Sequence, residues 1–549
     1  MNIVLRSLPP PEPITPSSYK FKTTKKRLIT FDTETDPFAP ARVPEVFCAG
    51  IYDGENYFPF WGEDCVDQAL DHLDNAYPGE QLLVYAHNLP FDFRYLRYHV
   101  DHGTSPMIIG TRIVKCFIHG HEFRDSFKIL PVALSKINKD EIDYAKMEKS
   151  VREENREEIL LYLNGDCLYL WNAVRTFIDT FGDALTIGNV AIRQLESYHG
   201  YQRLNYKQDA RIRDYFYGGR NEVFERGILK EDWKVIDVNS MYPHAMAAFK
   251  HPVSNTFHNG KYLSDKTAFV HLEGWSKGAL PVRAGIGLAF PHGYGEFKCS
   301  IHELRTAINL GLFKIKRILG TIDFDEWTDF GTFVYTFYAR REEAKANGDK
   351  FYDLLWKLCL NNAYGKFVQN PERFTNALLT RQGECPEEGR YHDIHNPHGW
   401  NLTHICDYGW IWSRKQRGFR GFHNSATGAS ITGAARATLL AGLNSVERPI
   451  YCDTDSIICL SSGNLPLHKS NLGAWDLEAE ADLAAIAGCK TYALFKDDKC
   501  IKKASKGVNL EPWEILEVAN GGSIIHVSDR PTFNIDGSVE FVEREITRT

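Results

Sequence analysis

Residues 451–456, Tyr-Cys-Asp-Thr-Asp-Ser, constrain this chain more than any other stretch. They lie between two apolar, β-prone arms, Arg448-Pro449-Ile450 before and Ile457-Ile458 after. An Asp-Thr-Asp tip between such arms predicts a tight hairpin, and side-chain alternation places Asp453 and Asp455 on one side of it. Two carboxylates so close repel each other unless a divalent cation neutralises them, as in the two-metal sites that clamp a phosphoryl group. Asp and Thr also favour plain solvated turns. The tip therefore acquires a meaning only from what the rest of the chain supplies.

The first third supplies a separate set of acids. Residues 27–31 (Arg-Leu-Ile-Thr-Phe) read as a strand running into Asp32-Thr33-Glu34, whose two acids share one face of an extended chain. The apolar run 81–86 ends in His87-Asn88-Leu89-Pro90-Phe91-Asp92, a polar cluster where open α/β sheets place their ligand sites. Residues 156–174 have a helical apolar period that sets Tyr162 and Asp166 one turn apart. Together Asp32, Glu34, Asp92, Asp166 and Tyr162 form the inventory of a two-metal nuclease, with Asp32, Glu34 and Asp166 as metal ligands and Tyr162 orienting the attacking water.

The later part supplies partners for the hairpin. Residues 232–238 form a strand ending at Asp237, followed by Asn239-Ser240-Met241-Tyr242-Pro243, where proline suits the first turn of a helix. A carboxylate at a strand end followed by turn amides at Ser240 makes a triphosphate site, with Tyr242 placed to stack below a sugar and exclude a 2′-hydroxyl. Residues 351–367 read as a helix carrying Lys357, Asn361 and Tyr364 on one stripe. A basic, an amide and an aromatic group on one stripe make a poor core and a good nucleotide surface. No GxxxxGK[ST] loop occurs, so phosphate binding rests on metals, lysines and helix ends.

These stretches resemble known motifs. The first three resemble, in order, those of the DEDDy 3′→5′ exonuclease domain of proofreading DNA polymerases. DVNSMYP, KLCLNNAYG and YCDTDS resemble motifs A, B and C of family B DNA polymerases, with Met241 for the usual leucine and Asn362 for the usual serine. Residues 211–220 (RIRDYFYGGR) resemble the YxGG linker of the protein-primed branch, with Phe216 at the tyrosine position. Residues 125–131 resemble its single-strand-binding motif and residues 139–144 its lysine motif, which implies single-strand contacts from Ser126, Phe127 and Lys139, with Asn88 and Phe91 beside them. Cys489-Lys490-Thr491-Tyr492 resembles the KxY motif, and Thr432-Gly433-Ala434-Ala435-Arg436 a template-contact motif. The match runs from about residue 28 to about 510.

The resemblance implies a multidomain α/β and α+β chain: an RNase H-like 3′-5′ exonuclease domain, then a right-hand polymerase of palm, fingers and thumb with two insertions. The expected boundaries are a disordered leader at 1–27, exonuclease 28–190, palm 191–293 and 425–488, fingers 339–368 and thumb 489–549. Insertions resembling the first and second terminal-protein regions fall at 294–338 and 369–424; the second closes a ring round the template in that branch. Asp237 and Asp455 would hold two Mg²⁺ ions, with Mn²⁺ as a substitute and Asp453 tuning the site. Mg²⁺ keeps several waters and needs few carboxylates. Lys357, Lys490 and Tyr492 would hold triphosphate and primer end. The implied partners are template and primer DNA, dNTPs and a terminal protein as primer, acting as a monomer. The rival readings are a family B polymerase using ordinary primers and a nucleic-acid-binding remnant; the intact acids argue against the remnant.

Bulk properties agree. A chain of 549 residues has room for three or four domains at about 150 residues each, and 43% hydrophobic with 25% charged residues is an ordinary globular composition. No apolar run of about 18 residues exists to span a membrane. Twelve scattered cysteines without a CxxC pair fit a reducing cytoplasm, a host's if the protein is viral. The net charge of -7 is unusual for a nucleic-acid binder, but basic patches at 20–27, 412–420 and 496–506 offset it locally.

Overall fold

A computed structural model describes residues 20–22, 25–39, 42–136, 140–285, 287–370, 373–386, 399–416, 423–528 and 530–549. Lys139 and residues 417–420 of the middle basic patch lie outside the described residues. Of the expected leader, residues 1–19, 23 and 24 also lie outside. Phe21, by contrast, is fixed: its N–H donates to the Phe181 carbonyl at 2.8 Å.

The N-terminal unit is a seven-stranded mixed sheet. Its order is Tyr57–Trp61, Val46–Tyr52, Leu28–Thr35, Leu83–Ala86, His121–Asp125, Arg112–Ile118, Met107–Ile109. Leu28–Thr35 runs parallel to Leu83–Ala86, as a buried strand pair joined by a helical crossover does. The helix Arg156–Phe181 packs over the central strands, and Thr30 Oγ1 donates to the Cys167 carbonyl at 2.8 Å.

A second, antiparallel sheet has five strands in the order Trp475–Ala481, Trp233–Val238, Ser456–Ser461, Glu447–Asp453, Asn221–Val223. Asp237 lies opposite Ser456, and Asp453 also pairs with Ser456, so strands distant in sequence converge on one end of the sheet. The helix Ser425–Ser445 is buried along almost its whole length. Its alanines and glycines let neighbours approach closely: a Cβ on Gly442 would stand 2.2 Å from Trp475, and one on Gly428 2.3 Å from Val368. Lys350–Phe367, the helix expected at 351–367, packs beside it.

The two extra regions form sheets of their own. The first is four-stranded, Phe257–Gly260, Phe313–Phe324, Thr267–Lys277, His292–Ser300, and reaches back beyond residue 294. The second is three-stranded, Thr375–Thr380, Gly409–Lys415, Asn401–Cys406. It joins the N-terminal unit through backbone pairing of Gly103 and Thr104 with Leu379 and through the Arg97–Asp407 ion pair at 2.9 Å. Tyr408 of this region also donates to the Ile535 carbonyl near the C-terminus at 2.6 Å. Trp412, read as part of a nucleic-acid patch, instead belongs to the sheet's core and donates to Thr380 Oγ1.

Gly442→Ala is expected to destabilise the protein by about 1–3 kcal/mol, because the Trp475 indole must shift. Gly365→Ala, whose new methyl meets nothing within 4 Å, is expected to gain roughly 1 kcal/mol. Chemical denaturation checks both.

Candidate active sites

The first cleft opens at the end of Leu28–Thr35, the third strand of the seven-stranded sheet. Asp32 and Glu34 come from Leu28–Thr35 and Asp166 from the facing helix. One carboxylate oxygen from each lies within 4.8 Å of the others, the only such group among the described residues. Asp92 stands behind them on the helix Pro90–Leu96, fully buried, and accepts from Thr33 Oγ1 at 2.7 Å. Burial, with Asp32 nearby, pushes its carboxyl well above the usual range. The Tyr162 hydroxyl is raised by burial and by Glu34, and lies 3.1 Å from the Tyr144 hydroxyl, a partner that spacing along the chain does not reveal.

Around this cleft Asn88 adopts a left-handed backbone, φ 67°, held by its N–H to Asp125, while Arg112 donates to its side-chain oxygen. The Phe91 ring meets Phe533 edge-on at 5.6 Å, linking the cleft to the C-terminal hairpin. Phe127 lies against His87. Ser126 differs from expectation: it is fully buried, and its hydroxyl serves the Ala86 carbonyl and His87, which leaves it no surface for a strand.

The second site is the end of the five-stranded sheet. A two-residue turn, Thr454 and Asp455, joins Asp453 to its partner Ser456. Asp237 is pushed up to about 7 by burial and by Asp455 and Glu478. Asp455 is pushed up to about 6 by burial and by Asp453. Asp453 is clamped by Lys490 Nζ at 2.6 Å. The Lys490 backbone N–H donates to the Tyr451 hydroxyl at 3.1 Å, and the Tyr492 ring packs 5.1 Å from Tyr451. Glu478, paired with Lys502 at 2.5 Å, was not identified from sequence. The alternation of Asp476, Glu478 and Glu480 along one strand is the signal that could have found it.

The substrate stripe is as the helical spacing requires: Lys357 and Asn361 are exposed and Tyr364 is half-buried. The Tyr364 ring stacks on Tyr242 at 3.8 Å and 15°, so the helices Lys350–Phe367 and Met241–Ala248 contribute one aromatic wall. Ser240 sits at the N-terminus of Met241–Ala248 with φ 56°. Thr432 and Arg436 do not face this surface. Both are buried, Thr432 bonding to the Ala429 carbonyl and Arg436 to Glu303 and to the carbonyls of Tyr217 and Gly218. The direct template contact expected of them gives way to internal support.

Residues 136–401 match the family described as DNA polymerase type B, organellar and viral, and the chain belongs to it: it is a DNA-directed DNA polymerase. Among its relatives, the DNA-directed DNA polymerase of Enterobacteria phage PRD1 is 43% identical over 96% of this chain and 99% of that protein. The DNA polymerase of Bacillus phage phi29 is 25% identical over 67% of this chain and 66% of that protein. A phi29 DNA polymerase structure shares the fold with a TM-score of 0.71 at 19% identity, covering 95% of this chain and 100% of that one. The same polymerase complexed with primer-template DNA and incoming nucleotide matches with a TM-score of 0.70 at 18% identity, over the same shares of the two chains.

A carboxyl whose pKa is higher folded than unfolded binds its proton more tightly in the fold. In the absence of metal, stability therefore falls as pH rises from about 4, where unfolded aspartate titrates, to about 7, where Asp237 ionises in the fold. In chelator, Asp237→Asn is expected to raise Tm by roughly 2 °C near pH 8 and to leave it unchanged near pH 4. An equal effect at both pH values contradicts the repulsion.

Proposed function

We propose that the five-stranded sheet is the palm and synthesis site, that the seven-stranded unit removes mispaired 3′ ends, and that synthesis starts on a protein hydroxyl. The observation that carries this reading is the convergence of Asp237 and Asp455 at one sheet end, where each raises the other's affinity for a cation. The acids fit a divalent pair: they are partly buried, mutually repelling and backed by lysines rather than neutralised by them. Asp237 and Asp455 would be the ligands, with Asp453 held to one side by Lys490. When bound, two Mg²⁺ ions, or Mn²⁺ in their place, supply activation of the attacking hydroxyl and neutralise charge on the leaving pyrophosphate.

The chain's own groups then divide the work. Lys357 meets the triphosphate, Asn361 and Tyr364 pack near the base pair, and Tyr242 bars a 2′-hydroxyl. Lys490 and Tyr492 steady the primer end. In the first cleft Asp32, Glu34 and Asp166 would hold a second metal pair, Asp92 braces Thr33, and Tyr162 orients water. Asn88, Phe91, Phe127 and Lys139 would guide the frayed strand. The substrates are template, primer and dNTPs, as in the phi29 complex. The region at 369–424, touching both the N-terminal unit and the C-terminal hairpin, supports a ring round the template and strand displacement. The extra four-stranded sheet, in the region that resembles the first terminal-protein region, would bind the terminal protein. Among the described residues no helix is long and apolar enough to cross a membrane; we place the monomer in the host cytoplasm.

Asp453→Ala or Asp455→Ala is expected to lower primer extension on the order of a thousandfold, about 4 kcal/mol of barrier, and to spare single-strand degradation. Asp32→Ala with Glu34→Ala is expected to do the reverse; extension that survives Asp455→Ala removes the site assignment. Incubation with labelled dNTP and the protein encoded beside this gene tests priming. A covalent nucleotide–protein adduct is the expected product, and extension of nucleic-acid primers alone favours the ordinary-primer reading.

A further inference from the structure

Arg436 and Glu303 form an ion pair at 2.7 Å with both side chains 2% exposed. Desolvating two charges costs more than such a pair returns in stability, so its value lies in geometry. Glu303 is fixed on the helix Ile301–Asn309: Oε2 accepts from the Ser300 N–H at 3.0 Å and from Ser300 Oγ at 2.9 Å, and Oε1 accepts from Arg436 Nε. Arg436 Nη1 donates to the carbonyls of Tyr217 at 2.7 Å and Gly218 at 2.6 Å. A planar guanidinium fork can hold two successive carbonyls and a carboxylate at once; an ammonium or an apolar pair cannot.

The segment held in this way reaches the catalytic turn. The carbonyl of Arg220 accepts the Thr454 N–H at 2.7 Å, and a Cβ on Gly219 would stand 2.5 Å from Thr454 Oγ1. Thr454 has φ 56°, a left-handed conformation that is unfavourable for a β-branched residue and persists only where its surroundings enforce it. The enforcing surroundings are residues 219–220; Arg436 holds the carbonyls of residues 217–218, while Arg283 lies over the Tyr217 ring and donates to the Phe216 carbonyl.

We propose that Glu303 is a positioning residue for synthesis: through Arg436 it sets the carbonyls of Tyr217 and Gly218, and thereby the strained turn that carries Asp455. The proposal rests on the reading of Asp455 as a ligand of the synthesis site. It also reassigns the buried arginine from the template to the hairpin.

Single-turnover insertion on a primed template, with primer-template and dNTP both titrated, tests it on the full chain. Glu303→Gln keeps an acceptor for Ser300 and removes the charge. It is expected to lower the maximal rate about 10- to 100-fold, with the dNTP half-saturation, the burst amplitude and single-strand degradation unchanged. Arg436→Lys is expected to show the same pattern, larger. A reduced burst amplitude at unchanged rate would make Glu303 a packing residue and overturn the proposal. So would a silent Glu303→Gln beside an Arg436→Lys that only weakens primer-template binding. If Glu303→Gln does not fold, Glu303→Asp, which keeps the charge on a shorter arm, takes its place with the same criteria. Asp455→Ala run in parallel separates failure of the site assignment from failure of this inference.

Discussion

The repulsion between Asp237 and Asp455 is the constraint on which the end of the five-stranded sheet depends. A protein that wanted only stability would not hold two carboxylates where burial and proximity push them to about 7 and about 6. The sheet holds them there because its hydrogen bonds fix the register: Asp237 faces Ser456 across one ladder, and Val238 donates its N–H to the Asp455 carbonyl at 2.8 Å. Nearby cations are arranged so as not to remove the repulsion. Lys490 is engaged by Asp453 and Lys502 by Glu478, so neither lies directly on the two acids that face each other. Charge is thus stored for an incoming cation and substrate.

The two clefts show how the same residue type is set to different tasks. In the seven-stranded unit three acids already bring oxygens within 4.8 Å, a spacing suited to metals held largely by the protein. Asp92 is placed behind them, out of water, where it holds Thr33 on the strand between Asp32 and Glu34. The end of the five-stranded sheet is looser, with no third acid at that spacing among the described residues. A site whose metals must also be held by a triphosphate needs vacant coordination positions, and a closed cage of protein oxygens would compete with its substrate.

Local spacing made much of this legible in the sequence. Strand alternation placed Asp32 beside Glu34, helical periodicity placed Lys357, Asn361 and Tyr364 on one stripe, and the hairpin formed at the Asp-Thr-Asp tip. Spacing fails where the question is which face of an element meets which other element. Thr432 and Arg436 sit on a helix whose small residues draw neighbours onto every side, so the arginine points into the protein. Ser126 follows directly on a strand buried on both faces, and Trp412 fills its own small sheet. Glu303 and Tyr144 meet partners distant in the chain, and no one-dimensional pattern marks them.

The contact between the three-stranded region and the N-terminal unit combines backbone pairing at the sheet edge, between Gly103, Thr104 and Leu379, with a partly exposed ion pair, Arg97–Asp407. Edge pairing is directional and costs little area, while an ion pair at such exposure adds about 0–1 kcal/mol. The larger share is apolar: Leu379, Tyr408 and Ile411 of this region and Ile535 near the C-terminus join Phe93, Val100, Ile113 and Cys116 of the N-terminal unit in one hydrophobic cluster. The polar contacts set the register of that seam, and the buried apolar surface holds it.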